Sequence, residues 1–218
     1  MKLLLTSSGL KNQTIAAALF ELVGKPAAET SIAFIPTSMN VEDSDKGWFI
    51  DDLANIKKQG CRRVDVVDIS ALPREVWLPR LEKADVLFFS GGNTAHLMRW
   101  LNESGLVARL PELLQTRVYA GISAGSIATN PTIELSSPER RAEYARQFGY
   151  TDTRGLNLVQ LYVRPHLNSP HFPTARREYL VEIAKDLGAP LYGIDDNTAL
   201  KIVDGNVEVV SEGEYVVL

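Results

Sequence analysis

Val118-Tyr119-Ala120-Gly121-Ile122-Ser123-Ala124-Gly125-Ser126 is the stretch that decides how the chain folds. Its β-branched and aromatic residues end in Gly-x-Ser-x-Gly, a pattern typical of a strand that turns sharply into a helix. The turn puts the Ser123 hydroxyl at its apex and the Ala124 N–H at the start of the helix, where a developing oxyanion is stabilised. A glycine-rich turn without any chemistry has the same pattern, so the other parts of an acyl-transfer site must be sought elsewhere.

Composition describes an ordinary globular protein. The 218 residues are 45% hydrophobic and 23% charged, and the net charge of −4 offers no electrostatic reason to expect nucleic acid or an anionic membrane as a partner. The single cysteine, Cys61, excludes an intrachain disulfide and a cysteine-rich zinc site. The apolar run at the N-terminus is too short for a signal peptide and no later run is long enough to span a membrane, so a cytoplasmic location is expected.

Strand-like and helix-like patterns alternate along the chain, which predicts βαβ units and a mainly parallel sheet in one domain over residues 1–218. Strands are expected over residues 2–7, 31–36, 63–69, 85–90, 118–122, 155–165 and 191–195. Helices are expected over residues 12–23, 43–58, 73–83, 94–101, 107–115 and 175–187, with a polar surface helix between 131 and 154. Residues 199–203 and 207–210, joined by Asp204-Gly205, predict a C-terminal antiparallel hairpin.

A pair of glycines follows the expected fourth strand in Gly91-Gly92-Asn93-Thr94. Glycines at a strand end allow close backbone approach and turn N–H groups toward a ligand, which suits the second half of an oxyanion hole. Asn93 or Thr94 also suits the N-cap of the next helix, but capping does not account for the two glycines.

Two of the three histidines lie in a proline-rich loop after an expected strand, Arg164-Pro165-His166-Leu167-Asn168-Ser169-Pro170-His171. Because the prolines restrict the backbone, this loop suits the fixed placement of an imidazole. His166, at the strand end, is the candidate general base, and His171 is expected to line the pocket. His96 falls within a helical pattern and is interpreted as a helix-face residue.

The base requires a carboxylate that orients it and stabilises the imidazolium. Asp195 and Asp196 follow the last expected core strand, and because neighbouring side chains on extended backbone point to opposite sides, only one of them faces the site. We favour Asp196, with Glu134 and Glu139 as the alternatives. The order serine, histidine, acid differs from the α/β-hydrolase order, in which the histidine comes last, and disfavours an ordinary lipase or esterase.

Taken together, Gly91-Gly92-Asn93-Thr94, Gly121-Ile122-Ser123-Ala124-Gly125, Pro165-His166 and Gly193-Ile194-Asp195-Asp196 resemble the peptidase E (α-aspartyl dipeptidase) family of serine peptidases, which also includes cyanophycinases. The resemblance runs over essentially the whole chain. It implies a three-layer α/β sandwich of the class I glutamine amidotransferase-like (flavodoxin-like) type, with serine in place of their elbow cysteine.

For the site, the resemblance implies Ser123 as nucleophile, His166 as base and the N–H groups of Gly92 and Ala124 as the oxyanion hole. The family has glutamate at the position of Asp196, so the acid here is one methylene shorter. An arginine of the family binds the aspartate carboxylate of the substrate, and Arg176 is the nearest match, with Arg177 as the alternative. Asn93 and His171 complete the expected substrate-binding residues.

The implied activity is hydrolysis of short peptides, dipeptides with N-terminal aspartate in particular, without a metal or organic cofactor. The alternatives are a cyanophycinase-like or isoaspartyl peptide hydrolase, and a catalytically silent relative that binds a small acidic metabolite. The expected partner is a small peptide, with no nucleic acid or membrane involved. The chain is expected to be a monomer or homodimer.

Overall fold

The computed structural model describes all 218 residues, Met1 to Leu218. Its strands are β1 (Lys2–Thr6), β2 (Ser31–Ile35), β3 (Arg63–Val66), β4 (Val86–Phe89), β5 (Val118–Ile122), β6 (Tyr162–Arg164), β7 (Leu191–Ile194), β8 (Thr198–Val203), β9 (Asn206–Ser211) and β10 (Tyr215–Val217). Its α-helices are α1 (Gln13–Val23), α2 (Gly47–Lys58), α3 (Arg74–Glu82), α4 (Thr94–Glu103), α5 (Leu110–Leu113), α6 (Ala124–Ile127), α7 (Pro138–Phe148) and α8 (Arg177–Leu187). None of these helices is both long and apolar enough to cross a membrane.

Seven strands form the main sheet in the order β3-β2-β4-β5-β1-β8-β9. The first five of that order run parallel, and β8 and β9 join antiparallel as the predicted C-terminal hairpin. β1 lies beside β5 in a register that pairs Thr6 with Ile122. The carboxyl end of β1 therefore lies next to Ser123, which directly follows β5.

Helices cover both faces of the main sheet, which confirms the predicted three-layer architecture. Successive residues of β1 point to opposite faces, so that Leu3 and Leu5 enter one apolar core and Leu4 enters the other. On the first face α3 and α4 bury Trp77 and Leu97, and on the second α1 buries Leu19. Each fully buried side chain of this size contributes about 1.5–3 kcal/mol to the free energy of unfolding.

A second sheet of three strands, in the order β10-β7-β6, is not hydrogen-bonded to the main one but packs against it through Val163 and Ile194. β6 and β7 run parallel, and β10 pairs antiparallel with β7. Leu180 of α8 packs into its small core beside Leu191 and Val216. Because β6 and β7 run parallel, the residues that follow them, His166 and Asp196, emerge at the same edge of this sheet.

The structure differs from the expected elements at several places. The strand expected over 155–165 is limited to Tyr162–Arg164, because the N–H groups of Leu156 and Leu158 donate to the carbonyls of Ala128 and Thr129 instead of forming a ladder. β7 belongs to the small sheet and not to the main sheet, although its Ile194 enters the larger apolar core, and β10 was not predicted. The helix expected from residue 43 begins at Gly47, and the one expected over 107–115 is a single turn, Leu110–Leu113.

Candidate active site

Ser123 lies at a strained turn between β5 and α6. Its φ of 46° and ψ of −101° fall in a region that residues with a side chain seldom adopt. A side chain on Gly125 would bring a Cβ within 2.4 Å of the Phe89 carbonyl oxygen, so only glycine fits beside β4 at this position. The strained turn lifts the Ser123 hydroxyl above the carboxyl edge of the main sheet.

Three side chains from separate loops form a continuous line of hydrogen bonds. Ser123 Oγ lies 2.9 Å from Nε2 of His166, and Nδ1 of the same ring lies 2.8 Å from Oδ1 of Asp196. An ionised carboxylate only accepts hydrogen bonds, so Nδ1 carries the proton and Nε2 is free to accept the serine hydroxyl. This is the arrangement in which an imidazole acts as the general base for a serine.

The His166 ring is held by a stacked aromatic ring and by its own backbone conformation. Phe172 stacks on it with ring centroids 4.1 Å apart and planes 7° from parallel. The backbone of His166 has a φ of 65°, an uncommon value for a residue with a side chain, at the point where the chain leaves β6. The ring is therefore positioned by the fold before any substrate binds.

Asp196 is ionised in this setting. Burial by itself would raise its pKa, but hydrogen bonds from His166, Ser7 and Ser8, together with the charge of the protonated form of His166, outweigh burial and hold the pKa well below its usual value. Lys11 Nζ lies 3.8 Å from the second carboxylate oxygen. The acid is thus a fixed negative charge next to the imidazole.

The other candidate acids lie elsewhere. Asp195 accepts hydrogen bonds from the N–H groups of Asn197 and Glu214 and from the hydroxyl of Thr198, so its carboxylate closes the turn between β7 and β8. Glu139 accepts from Ser137 at the start of α7, and Glu134 lies on the exposed side of the segment before it. Only Asp196 of the four reaches the imidazole.

Ser7, which sequence reasoning missed, connects two members of this line. Its hydroxyl donates to Asp196 Oδ1 over 2.7 Å and accepts the backbone N–H of His166 over 2.9 Å. The signal available in the sequence was the Ser7-Ser8 pair directly after the first buried strand. That pair becomes informative only once β1 is known to lie beside β5.

The two backbone N–H groups expected to form the oxyanion hole have no backbone partner. Gly92 has a φ of 132°, and a Cβ there would lie 2.2 Å from the Ser38 carbonyl oxygen, so glycine is required. Its N–H makes no backbone hydrogen bond. The Ala124 N–H opens the first turn of α6 and has no partner within the helix. Both donors are thus free to bind an external acceptor, as an oxyanion hole requires.

A cavity of about 700 Å³ opens over Ser123 and is lined by charged side chains of both signs. Arginine side chains come from α7 and β6, and acidic side chains come from α2 and the loop before it. The charged residues lining the cavity are Glu42, Asp45, Lys46, Asp52, Arg140, Arg141, Arg164 and Asp196. The structure brings together no group of three or more histidine, cysteine or acidic side chains suited to holding a metal ion.

Arg164 is a buried cation without a carboxylate partner. Its residue is 3% exposed, its guanidinium donates to the Thr174 hydroxyl over 2.9 Å, and no acidic group lies within ion-pair distance. Burial, with a smaller contribution from the nearby charge of Arg141, lowers the pKa of Arg164 to about 10. The Arg141 guanidinium is likewise satisfied only by carbonyl and hydroxyl oxygens, those of Ser136 among them. A bound anion would offset the free-energy cost of desolvating the two guanidinium groups.

Comparison with known proteins decides the family. The model of peptidase family S51 matches residues 3–210, nearly the full length. The chain belongs to peptidase family S51. It is a serine peptidase, as that family is.

Relatives of this S51 peptidase carry peptidase names. Peptidase PM1590 of Pasteurella multocida is 30% identical over 183 residues, which is 81% of this chain and 86% of the relative. A Nostoc protein named Peptidase E is 29% identical over 136 residues, 60% of this chain and 54% of the relative. A 1.5 Å crystal structure from Listeria monocytogenes EGD-e shares the fold, with a TM-score of 0.79 at 23% identity over 97% of this chain and 98% of that one.

The expected substrate-binding residues of this S51 peptidase fall into two groups. Asn93 and His171 line the cavity, although the Asn93 side chain is engaged, since it caps α4 through the His96 N–H and donates to Glu42. Arg176 does not line the cavity: it is an exposed residue at the N-cap of α8. Arg177 lies on a separate shallow depression. The arginines that do line the cavity are those from α7 and β6.

Proposed function

We propose that this peptidase hydrolyses short peptides that carry an N-terminal aspartate, through an acyl-enzyme formed on Ser123. The observation that carries the proposal is the line of hydrogen bonds from Ser123 through His166 to Asp196, with lengths of 2.9 and 2.8 Å, at the floor of the cavity. Distances of this length let the hydroxyl lose its proton as it attacks a carbonyl carbon.

In the proposed reaction, Nε2 of His166 takes the Ser123 proton while Oγ bonds to the carbonyl carbon of the scissile peptide. The negative charge on the carbonyl oxygen is stabilised by the N–H groups of Gly92 and Ala124. The imidazolium, stabilised by Asp196, then protonates the leaving amine, and the acyl-enzyme remains. Water repeats the attack with His166 as base, and the acid product leaves Ser123 with its proton restored.

Selection of an acidic side chain is supported by the charges in the cavity. Arg164 and Arg141 are desolvated and neither forms an ion pair with a carboxylate, and a guanidinium binds a carboxylate through two parallel hydrogen bonds. A substrate carboxylate would give Arg164 the partner that the protein itself does not supply. Relatives named Peptidase E and, in Drosophila melanogaster, probable α-aspartyl dipeptidase are consistent with such a substrate.

The test is hydrolysis of a peptide panel by the wild type and by Ser123→Ala, with Ser169→Ala as a control for a serine that lines the same cavity. Aspartyl-leucine should be cleaved faster than alanyl-leucine by the wild type and the control, and Ser123→Ala should lose several orders of magnitude in rate. A fluorophosphonate should label the wild type and Ser169→Ala but not Ser123→Ala.

Other outcomes would change the function. Cleavage of β-aspartyl-leucine in preference to aspartyl-leucine would identify an isoaspartyl or cyanophycinase-like hydrolase. Absence of both hydrolysis and fluorophosphonate labelling would contradict the proposal and leave a protein that binds a small acidic molecule.

A further inference from the structure

A buried carboxyl group on α2 takes no part in the line from Ser123 to Asp196. Asp52 is 7% exposed and lines the cavity, yet no hydrogen-bond donor or cation contacts its carboxylate. Burial, followed by the charges of Asp51 and Asp196, raises its pKa to about 7. A carboxylate in this setting is costly for the free protein and would gain from any cation that entered the cavity.

The position of Asp52 relative to the nucleophile follows from its neighbours. A Cβ on Gly9 would lie 3.4 Å from Asp52 Oδ1 and 3.1 Å from Ile122 Cδ1, so the carboxylate and the residue that precedes Ser123 both lie against Gly9, and both line the cavity. Trp48, one helical turn before Asp52, lies against Gly91, where a Cβ would be 3.4 Å from the indole and 3.5 Å from Ser123 Cβ. α2 therefore presents an aromatic ring and a carboxylate to the space beside the serine.

The positive charges around the cavity either pair with other groups or, as with Arg141 and Arg164, are not among the charges that act on Asp52. Lys46, which lines the same cavity, donates to the Glu42 carbonyl and the Ser44 hydroxyl. Lys11 lies 3.8 Å from Asp196, and the guanidinium of Arg140 lies 3.3 Å from Glu42. The charges close enough to act on Asp52 are those of Asp51 and Asp196, both negative. A partner for this carboxylate must therefore come from outside the chain.

We infer that Asp52 binds the α-ammonium group of the substrate and so makes the enzyme specific for peptides with a free N-terminus. The inference rests on the proposed function, because the α-ammonium of an N-terminal residue is bonded to the carbon next to the scissile carbonyl. With that carbonyl carbon at Ser123 and its oxygen at Gly92, the ammonium lies within a short reach of the attacked atom, on the side where α2 closes the cavity. Arg141 and Arg164 remain available to bind the side-chain carboxylate of the substrate.

The deciding experiment compares ligands that differ only in the ammonium group. Aspartyl-leucine and N-succinyl-leucine, its counterpart without the amine, are titrated calorimetrically into Ser123→Ala, which cannot turn them over. Aspartyl-leucine should bind at least about tenfold more tightly than succinyl-leucine, and Asp52→Asn in the same background should bring the two affinities within about twofold. Alanyl-leucine and propionyl-leucine form a second pair that does not depend on the acidic side chain.

Asp51→Asn is the matched control, since it removes the same charge from the adjacent, exposed position of the helix. It should leave the preference for the amine intact. Equal affinities for both members of each pair in the parent, undetectable binding of all four ligands, or a preference that survives Asp52→Asn would overturn the inference. A preference for the amine that is lost in Asp52→Asn, in a wild type that hydrolyses no peptide, would support the ammonium site and contradict the proposed function.

Discussion

The Ser7 hydroxyl and the Asp196 carboxylate are 2.7 Å apart, although 189 positions separate them in the chain. The same hydroxyl accepts the backbone N–H of His166, so that β1 of the main sheet is tied to the two loops that leave the small sheet. Since Ser123 follows β5, which pairs with β1, this contact sets the position of the imidazole relative to the serine.

Replacement of Ser7 should therefore impair catalysis more than binding. Ser7→Ala removes one hydrogen bond to the carboxylate and one anchor of the His166 loop, and we expect kcat to fall by about 10- to 100-fold with little change in KM. Steady-state kinetics on the best dipeptide checks this, with Ser169→Ala as the control. A rise in KM at constant kcat would contradict a positioning role.

The two neighbouring aspartates should separate activity from stability. In Asp196→Asn the side-chain amide cannot hold the His166 imidazole in the required tautomer. We therefore expect kcat to fall by about 10³- to 10⁴-fold while the thermal midpoint of unfolding changes little. Asp195→Ala removes the acceptor for three donors in the turn and should cost about 1–3 kcal/mol of unfolding free energy while kcat is retained. Steady-state kinetics and denaturant titration on both variants measure these effects. Lost activity in Asp195→Ala together with lost stability in Asp196→Asn would contradict Asp196 as the acid that orients His166.

Removal of the buried guanidinium should reduce selectivity without loss of stability. Arg164→Met fills a similar volume and removes a desolvated charge that lacks a counter-ion, so we expect unchanged or greater stability. KM for aspartyl-leucine should rise by at least about tenfold, while that for alanyl-leucine stays within about twofold. Arg140→Met, which removes an exposed guanidinium paired with Glu42, is the control. Equal effects of both variants would argue against a carboxylate site at Arg164.

The strain at the nucleophile can be measured through inactive variants. Ser123→Gly relieves a positive φ that costs about 1–3 kcal/mol for a residue with a side chain, partly offset by the entropy that glycine adds to the unfolded chain. Ser123→Gly should therefore be more stable than Ser123→Ala by about 1 kcal/mol in denaturant titration. A lower stability for the glycine variant would show that the turn stores no strain.

The raised pKa of Asp52 predicts a pH-dependent stability difference. The folded protein holds this proton up to about pH 7, whereas the unfolded chain loses it near 3.8, so the wild type loses stability as pH rises between those values. Asp52→Asn has no such proton to lose. Its free energy of unfolding should therefore rise relative to that of the wild type by a few kcal/mol from pH 4 to pH 7, and the difference should then level off. Thermal melts across this range, with Asp51→Asn beside them, measure it. A constant difference would exclude the raised pKa.

Much of the fold could be predicted because its signals are local. The apolar runs and glycine turns at the strand ends depend on a few consecutive residues, and the main sheet and its C-terminal hairpin are confirmed. The strand expected over 155–165 was wrong in most of its length because those residues pair with the turn after α6, a contact that no periodicity records. β10 was missed since three residues, Tyr215–Val217, carry too short a pattern.

The order of Ser123, His166 and Asp196 and the residues around each could be read from the sequence, because each follows a strand or lies at a glycine turn. Ser7, Arg164 and Asp52 became meaningful only in three dimensions, since their surroundings come from β1, β6 and α2, which are distant in the chain. Local chemistry thus determined which residues end the strands. The packing of the small sheet against the main one decided which of those strand ends meet and which buried charges face the cavity without a partner. The reason is that desolvation and charge pairing depend on neighbouring residues that only the tertiary structure brings together.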